Sequence, residues 1–208
     1  MLRDYDYPIK IIRSQRQTTQ FQIAEGQLVI RTDQYTSEKR LAELIEEHRR
    51  WIEKKMADCR QRKPVFKLLG QNYDLIVREG TSCSYELKPE GLYCQIRFRE
   101  DLDWIYDQIY QKNQKVLIEI IKDCLAVFPK KPAEVRIKRL ERSFGICRPN
   151  RKISISLYVL KYSVSFMRMI VFHELCHLEQ MDHSAKFYAL LEQYVPDHRQ
   201  LRKEARNP

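Results

Sequence analysis

The sequence predicts an α+β fold, and three features predict it. Short alternating runs of apolar and polar residues cluster at 8–32 and recur between 73 and 98 and between 133 and 158. Two long amphipathic stretches, at 37–60 and 101–128, separate those runs. A stretch apolar nearly all round lies near the C-terminus and carries two histidines four residues apart. Period two marks half-buried strands and period 3.6 marks helices, so the chain mixes both. With 208 residues, 43% of them hydrophobic, it can build a sizeable core as one domain with an N-terminal elaboration. We expect the elaboration (β-hairpins, a long helix and a small sheet) over 1–100, and the core over 101–208.

In chain order, Ile9 and Ile11, then Phe21 and Ile23, then Leu28 and Ile30 alternate with polar residues, and Glu25-Gly26 supplies a turn. Ser37 caps a helix predicted to run to about 60, with Leu41, Leu44, Ile45, His48, Trp51, Ile52 and Met56 as its apolar stripe. His48 has no ligand-type partner at i±4 and reads as a residue of the core edge. Strands are expected at about 73–78 and 92–98, with a shorter one near 83–87 and a turn at Lys88-Pro89-Glu90-Gly91. These should form a small sheet joined to the first hairpins. Asp101 or Asp103 can cap a second long helix, ended by Pro129. A strand at 133–140, a loop at 142–150 and a strand at 152–158 follow. Ile153-Ser154-Ile155-Ser156-Leu157-Tyr158 alternates strictly. We expect it to be an edge strand that pairs with an extended substrate.

The chemistry concentrates in His173-Glu174-Leu175-Cys176-His177, which reads H-E-x-x-H. Residues i and i+4 stand one above the other on a helix, so both imidazoles can grip one metal ion. The glutamate between them lies about 100° around the helix from His173, placed as general base rather than ligand. Met169 to Phe172, Leu175, Cys176 and Leu178 make the helix a buried one. Polar groups in such a helix must be paired or coordinate a metal. Cys176 points off the histidine face and reads as a small core residue.

His183 is the preferred third ligand, with Asp182 or Glu192 as alternatives. On an unbroken helix it would lie about 15 Å beyond His173. The helix must therefore end near 180–182, and Ser184 can start the next one, expected over 184–191. Three histidines and a water make a catalytic zinc set, one Zn²⁺ per chain. Glu179, Asp182 or Glu192 would fix the histidine tautomers.

The segment His-Glu-Leu-Cys-His-Leu-Glu-Gln-Met-Asp-His-Ser-Ala-Lys-Phe (173–187) resembles the YgjP-like metallopeptidase family, which has H-E-L-x-H, a histidine at this offset, then a small polar residue and an aromatic. The basic start, the helix with Trp51-Ile52, and Leu69-Gly70-Gln71-Asn72-Tyr73-Asp74-Leu75 follow the family's order. Its Arg-Trp-Gly-Ser-Cys element is similar to Arg142-Ser143-Phe144-Gly145-Ile146-Cys147, with a residue added after the arginine, Phe for Trp and Ile for Ser. The resemblance implies a zincin-like core, zinc and peptidase activity on peptide or protein substrates. It also implies a relation to SprT-like and WLM-type proteases, some of which act on DNA-bound proteins. In a metzincin turn, glycine would stand where this chain has Gln180.

The implied reaction is hydrolysis by metal-activated water, with Glu174 moving the proton. Arg142 and Tyr158 are the candidates for a second oxyanion donor, and Ile155 on the expected edge strand is a candidate substrate contact. A formal charge of +10 favours acidic partners, nucleic acid among them, and the densest basic cluster is Arg136, Lys138, Arg139, Arg142, Arg148, Arg151 and Lys152. This leaves an alternative reading as a nucleic-acid-associated protein, either a DNA-linked protease or a zinc-stabilised binding module. Six cysteines without C-x-x-C spacing, no apolar leader in Met1–Asp6 and no window long enough for a membrane span lead us to expect reduced thiols, a cytoplasmic location and no membrane partner. Oligomeric state is not encoded legibly.

Overall fold

The computed structural model describes residues 5–24, 26–61 and 64–206. Glu25, expected in a turn, lies outside them; its neighbour Gly26 takes a left-handed φ of 72°. The chain divides into two compact units, 1–64 and 65–208.

In the first unit, β1 (Ile9–Ser14), β2 (Gln20–Ala24) and β3 (Gln27–Asp33) form a sheet of order β1-β3-β2. Its apolar residues meet two helices, α1 (Glu38–Glu47) and α2 (Arg49–Gln61), through Leu28, Ile30, Leu41, Ile45, Ile52 and Met56. Ser37 caps α1 as expected, accepting from the Arg40 amide at 3.2 Å. The expected single helix breaks at His48. There the imidazole Nδ1 lies 2.9 Å from the Leu44 carbonyl oxygen, and the backbone N–H is shared between Leu44 and Ile45. His48 is exposed and stacks on Phe21, while Trp51 turns outward at 42% exposure rather than joining the stripe.

In the second unit, β4 (Val65–Leu68), β5 (Gln71–Glu79), β6 (Ser84–Lys88) and β7 (Gly91–Ile96) form a separate sheet, order β4-β5-β7-β6. It does not join the first hairpins. Phe66, Leu68, Leu92, Cys94 and Ile96 belong to the same buried cluster as the helices that follow. The division between units therefore falls at 64/65, not at the expected 100/101. The second long helix is also two, α3 (Asp101–Lys112) and α4 (Gln114–Val127). The Asn113 side-chain amide donates to the Ile109 carbonyl at 2.8 Å, the same side-chain competition that breaks the helix at His48. Asp101 does not cap α3; its carboxylate accepts from the preceding Arg97 and Phe98 amides.

A third sheet, order β8-β10-β9, contains β8 (Glu134–Lys138), β9 (Gly145–Cys147) and β10 (Lys152–Ser156). The last strand is thus the middle one, parallel to β8 and antiparallel to β9. Its backbone is paired on both sides and cannot take up a substrate strand. Ile155, expected as a substrate contact, is fully buried and paired with Ile137 and Gly145 on the two flanking strands. A 3-10 turn, Leu157–Lys161, follows and leads into α5 (Val164–Cys176), with α6 (Ala185–Tyr194) and α7 (His198–Leu201) closing the fold. Among the described residues no helix is long and apolar enough to cross a membrane. All six cysteines are free thiols.

Candidate metal centre

The α5 helix is the buried axis of the second unit. Ser163 caps it, accepting from the Phe166 amide at 3.1 Å, and the Glu204 carboxylate in turn accepts from the Ser163 amide and hydroxyl at 3.1 and 2.7 Å. Nine of its residues are buried, Glu174 and Cys176 among them. The regular helix ends at Cys176, several residues before the expected 180–182. Amides of Glu179 and Gln180 both fold onto the Cys176 carbonyl, tightening the last turn.

That early end brings His183 back. Asp182 accepts from the Gln180 side chain at 2.6 Å and from the Ser184 amide at 3.1 Å, closing a local turn of the Asx kind. Ligand atoms of His173, His177 and His183 then all lie within 4.8 Å of one another. The Nε2 atoms of His173 and His183 are 3.0 Å apart. Two imidazole lone pairs do not face each other at that distance unless a proton or a cation lies between them. Burial, and then the neighbouring histidines, push the His173 imidazole down to about 3, and burial also lowers His177. Both rings are thus neutral near pH 7, the state a metal requires. The donor set fits a metal ion.

Two supports hold the rings in roles the sequence did not show. His177 Nδ1 lies 3.1 Å from the Gln180 backbone carbonyl, which leaves Nε2 to face the other rings. A carbonyl carries no sequence signal, and the carboxylates expected in this role are engaged elsewhere. Glu179 pairs with Lys130 at 3.3 Å, and Glu192 lies against His198 and Arg199. Asp182 acts on the turn, and neither Asp182 nor Glu192 joins the three histidines as a ligand. The second support is Phe187, fully buried, with ring centroids 4.9, 4.6 and 4.9 Å from His173, His177 and His183.

Glu174 is 5% exposed, and burial raises its carboxyl to about 7, opposed by a hydrogen bond from the Cys147 backbone. It shares with His173 a cavity of about 340 Å³, also lined by Phe144, Gly145, Phe166 and Arg202. Arg142 and Tyr158 do not line this cavity. They lie in a neighbouring one of about 520 Å³ with Tyr106, Tyr110 and Lys161, and Phe144 borders both.

The basic cluster is partly ion-paired and keeps an excess of positive charge. Arg136 and Lys152 pair with Glu134, Arg139 with Asp107, and Arg151 donates to the Lys131 carbonyl. A family model described as "YgjP-like, metallopeptidase domain" matches residues 17–207. No curated protein matches the chain.

Proposed function

Because the chain belongs to the YgjP-like metallopeptidase family, we propose that it is a zinc-dependent peptidase in which Glu174 is the general base. The observation that carries this reading is the buried Glu174 carboxyl in the same cavity as His173, beside three convergent histidines. Zinc suits the donor set: two nitrogens on a tetrahedral zinc stand about 3.3 Å apart, and the His173 and His183 Nε2 atoms are 3.0 Å apart. His173, His177 and His183 would hold one ion per chain. When bound, it supplies the Lewis acidity that makes water a nucleophile near neutral pH.

The protein's own part is proton transfer and exclusion of water. Burial raises the Glu174 carboxyl in the metal-free protein, and a carboxylate with such raised proton affinity suits taking a proton from water and returning it to a leaving amine. Phe144, Phe166, Met169 and Ile170 line the cavity and keep bulk water from the Glu174 carboxylate. The Cys147 backbone lies close enough to favour the ionised form of that carboxylate. The test is zinc content and cleavage of a peptide library by wild type and Glu174→Gln. One zinc in each, with cleavage by wild type alone, supports the reading. Cleavage retained by Glu174→Gln, or no zinc after reconstitution of wild type, would overturn it.

A further inference from the structure

The cleft contains a charge that this reaction scheme leaves unused. Arg202, just past α7, is the one lysine or arginine among the residues lining the cavity of His173 and Glu174. It stands on a braced stack. Its Nη1 donates to the Tyr188 hydroxyl at 3.2 Å, and its Cζ lies 6.0 Å from the centre of the same ring. The Tyr188 ring stacks on His198 with centroids 5.7 Å apart and planes 15° apart. His198 is 1% exposed and sits 3.4 Å from Glu192.

Among the described residues no carboxylate pairs with Arg202. Glu204, two residues on, has its oxygens on the Ser163 amide and hydroxyl. Glu192 is taken by His198 and Arg199. A guanidinium carries five N–H donors in a planar fork, and Tyr188 occupies one. The remaining donors, the unneutralised charge and the shared cavity describe a receptor for anionic oxygen.

We propose that Arg202 binds a negatively charged oxygen of the substrate in the catalytic cleft, a proposal that rests on the peptidase reading. Two oxygens of that chemistry exist on a peptide: the carbonyl oxygen as water adds to it, and the C-terminal carboxylate. The first would make Arg202 a catalytic residue; the second would make this an enzyme that trims chain ends. The geometry calls for a guanidinium in either case.

The test uses zinc-loaded wild type, Arg202→Ala, Arg202→Gln and Arg202→Lys, with zinc content and melting temperature as checks on folding. Affinity for a phosphinic peptide, a tetrahedral anion, is measured by calorimetry beside cleavage of one peptide with a free and with an amidated C-terminus. The neutral variants should keep zinc and lose about ten- to a hundredfold in phosphinate affinity or in kcat/KM. A fall in kcat on both peptides, partly restored by millimolar guanidinium, identifies the developing oxyanion. A rise in KM on the free acid alone identifies the terminal carboxylate. Unchanged phosphinate binding and unchanged kinetics in folded Arg202→Ala and Arg202→Gln would overturn the proposal. Failure of the peptidase reading looks different: zinc-loaded wild type would itself neither cut peptide nor bind the phosphinate, and the proposal would fall with it.

Discussion

A Cβ on Gly145 would lie 2.5 Å from Cγ of Glu174 and 2.6 Å from its Oε1. The edge strand β9 therefore approaches the helix closely enough that glycine alone leaves room for the carboxylate. Two residues on, the Cys147 backbone also acts on this carboxylate, favouring its ionised form. Gly145→Ala should keep the fold and the three histidines but displace the Glu174 carboxyl. A misplacement of about 1 Å costs roughly a hundredfold in rate. Steady-state kinetics with metal analysis checks this; full activity in Gly145→Ala would mean that Glu174 has slack the packing does not suggest.

The raised Glu174 carboxyl has a consequence for the metal-free protein. Its folded value of about 7 lies above the ordinary 4.5. The group therefore favours folding below about 4.5, and that contribution is lost as pH climbs through about 7. The whole effect is of order 3 kcal/mol at one pKa unit per 1.36 kcal/mol. Glu174→Gln carries no charge and should melt several degrees higher than wild type at pH 8, with the gain shrinking toward pH 5. Chelator-treated protein in a pH series of thermal melts decides it, and a gain independent of pH would refute the assignment to ionisation.

The metal-binding half of the site was legible because its residues sit at fixed offsets on one helix and the turn after it. His173 and His177 follow from helical spacing, and His183 from the need to break the helix before it. The surroundings were not legible, for two physical reasons. Backbone groups such as the Gln180 carbonyl carry no residue signature. Arg202 lies far along the chain from the motif and meets it through tertiary packing alone, and Gly145 was visible only within an element similar to the family's, without its contact to Glu174. In the fold, alternation at 153–158 announced a strand but could not say what lay beside it, so the middle strand was read as an edge. β9, three residues long, is too short to show a period. His48 and Asn113 sit inside apolar stripes, and periodicity does not record a side chain that bonds the carbonyl four residues back.

Phe187 is the apolar floor under all three imidazoles. Removing part of the ring loosens each histidine without touching a ligand atom. Phe187→Leu should weaken zinc affinity by about tenfold, the lower range for lost outer support, and lower the melting temperature of the metal-free protein. Competition with a chelator of known affinity measures the first and calorimetry the second. Equal zinc affinity in a destabilised variant would assign Phe187 to the core alone.

Asp182 separates the role of charge from the role of shape. Its carboxylate is held below the usual range first by Ser184 and then by Gln180, with the Ser184 amide and the Gln180 side chain as the donors. The acceptor thus organises the turn that carries His183, and it sits on an exposed surface where charge counts for little. Asp182→Asn keeps an acceptor oxygen and should bind zinc nearly as wild type does. Asp182→Ala loses the turn's bonds, leaves His183 to be ordered at the moment of binding, and should weaken zinc by about tenfold. If Asn and Ala weaken binding equally, the carboxylate acts on the metal centre through its charge, and the shape of the turn is set by other residues.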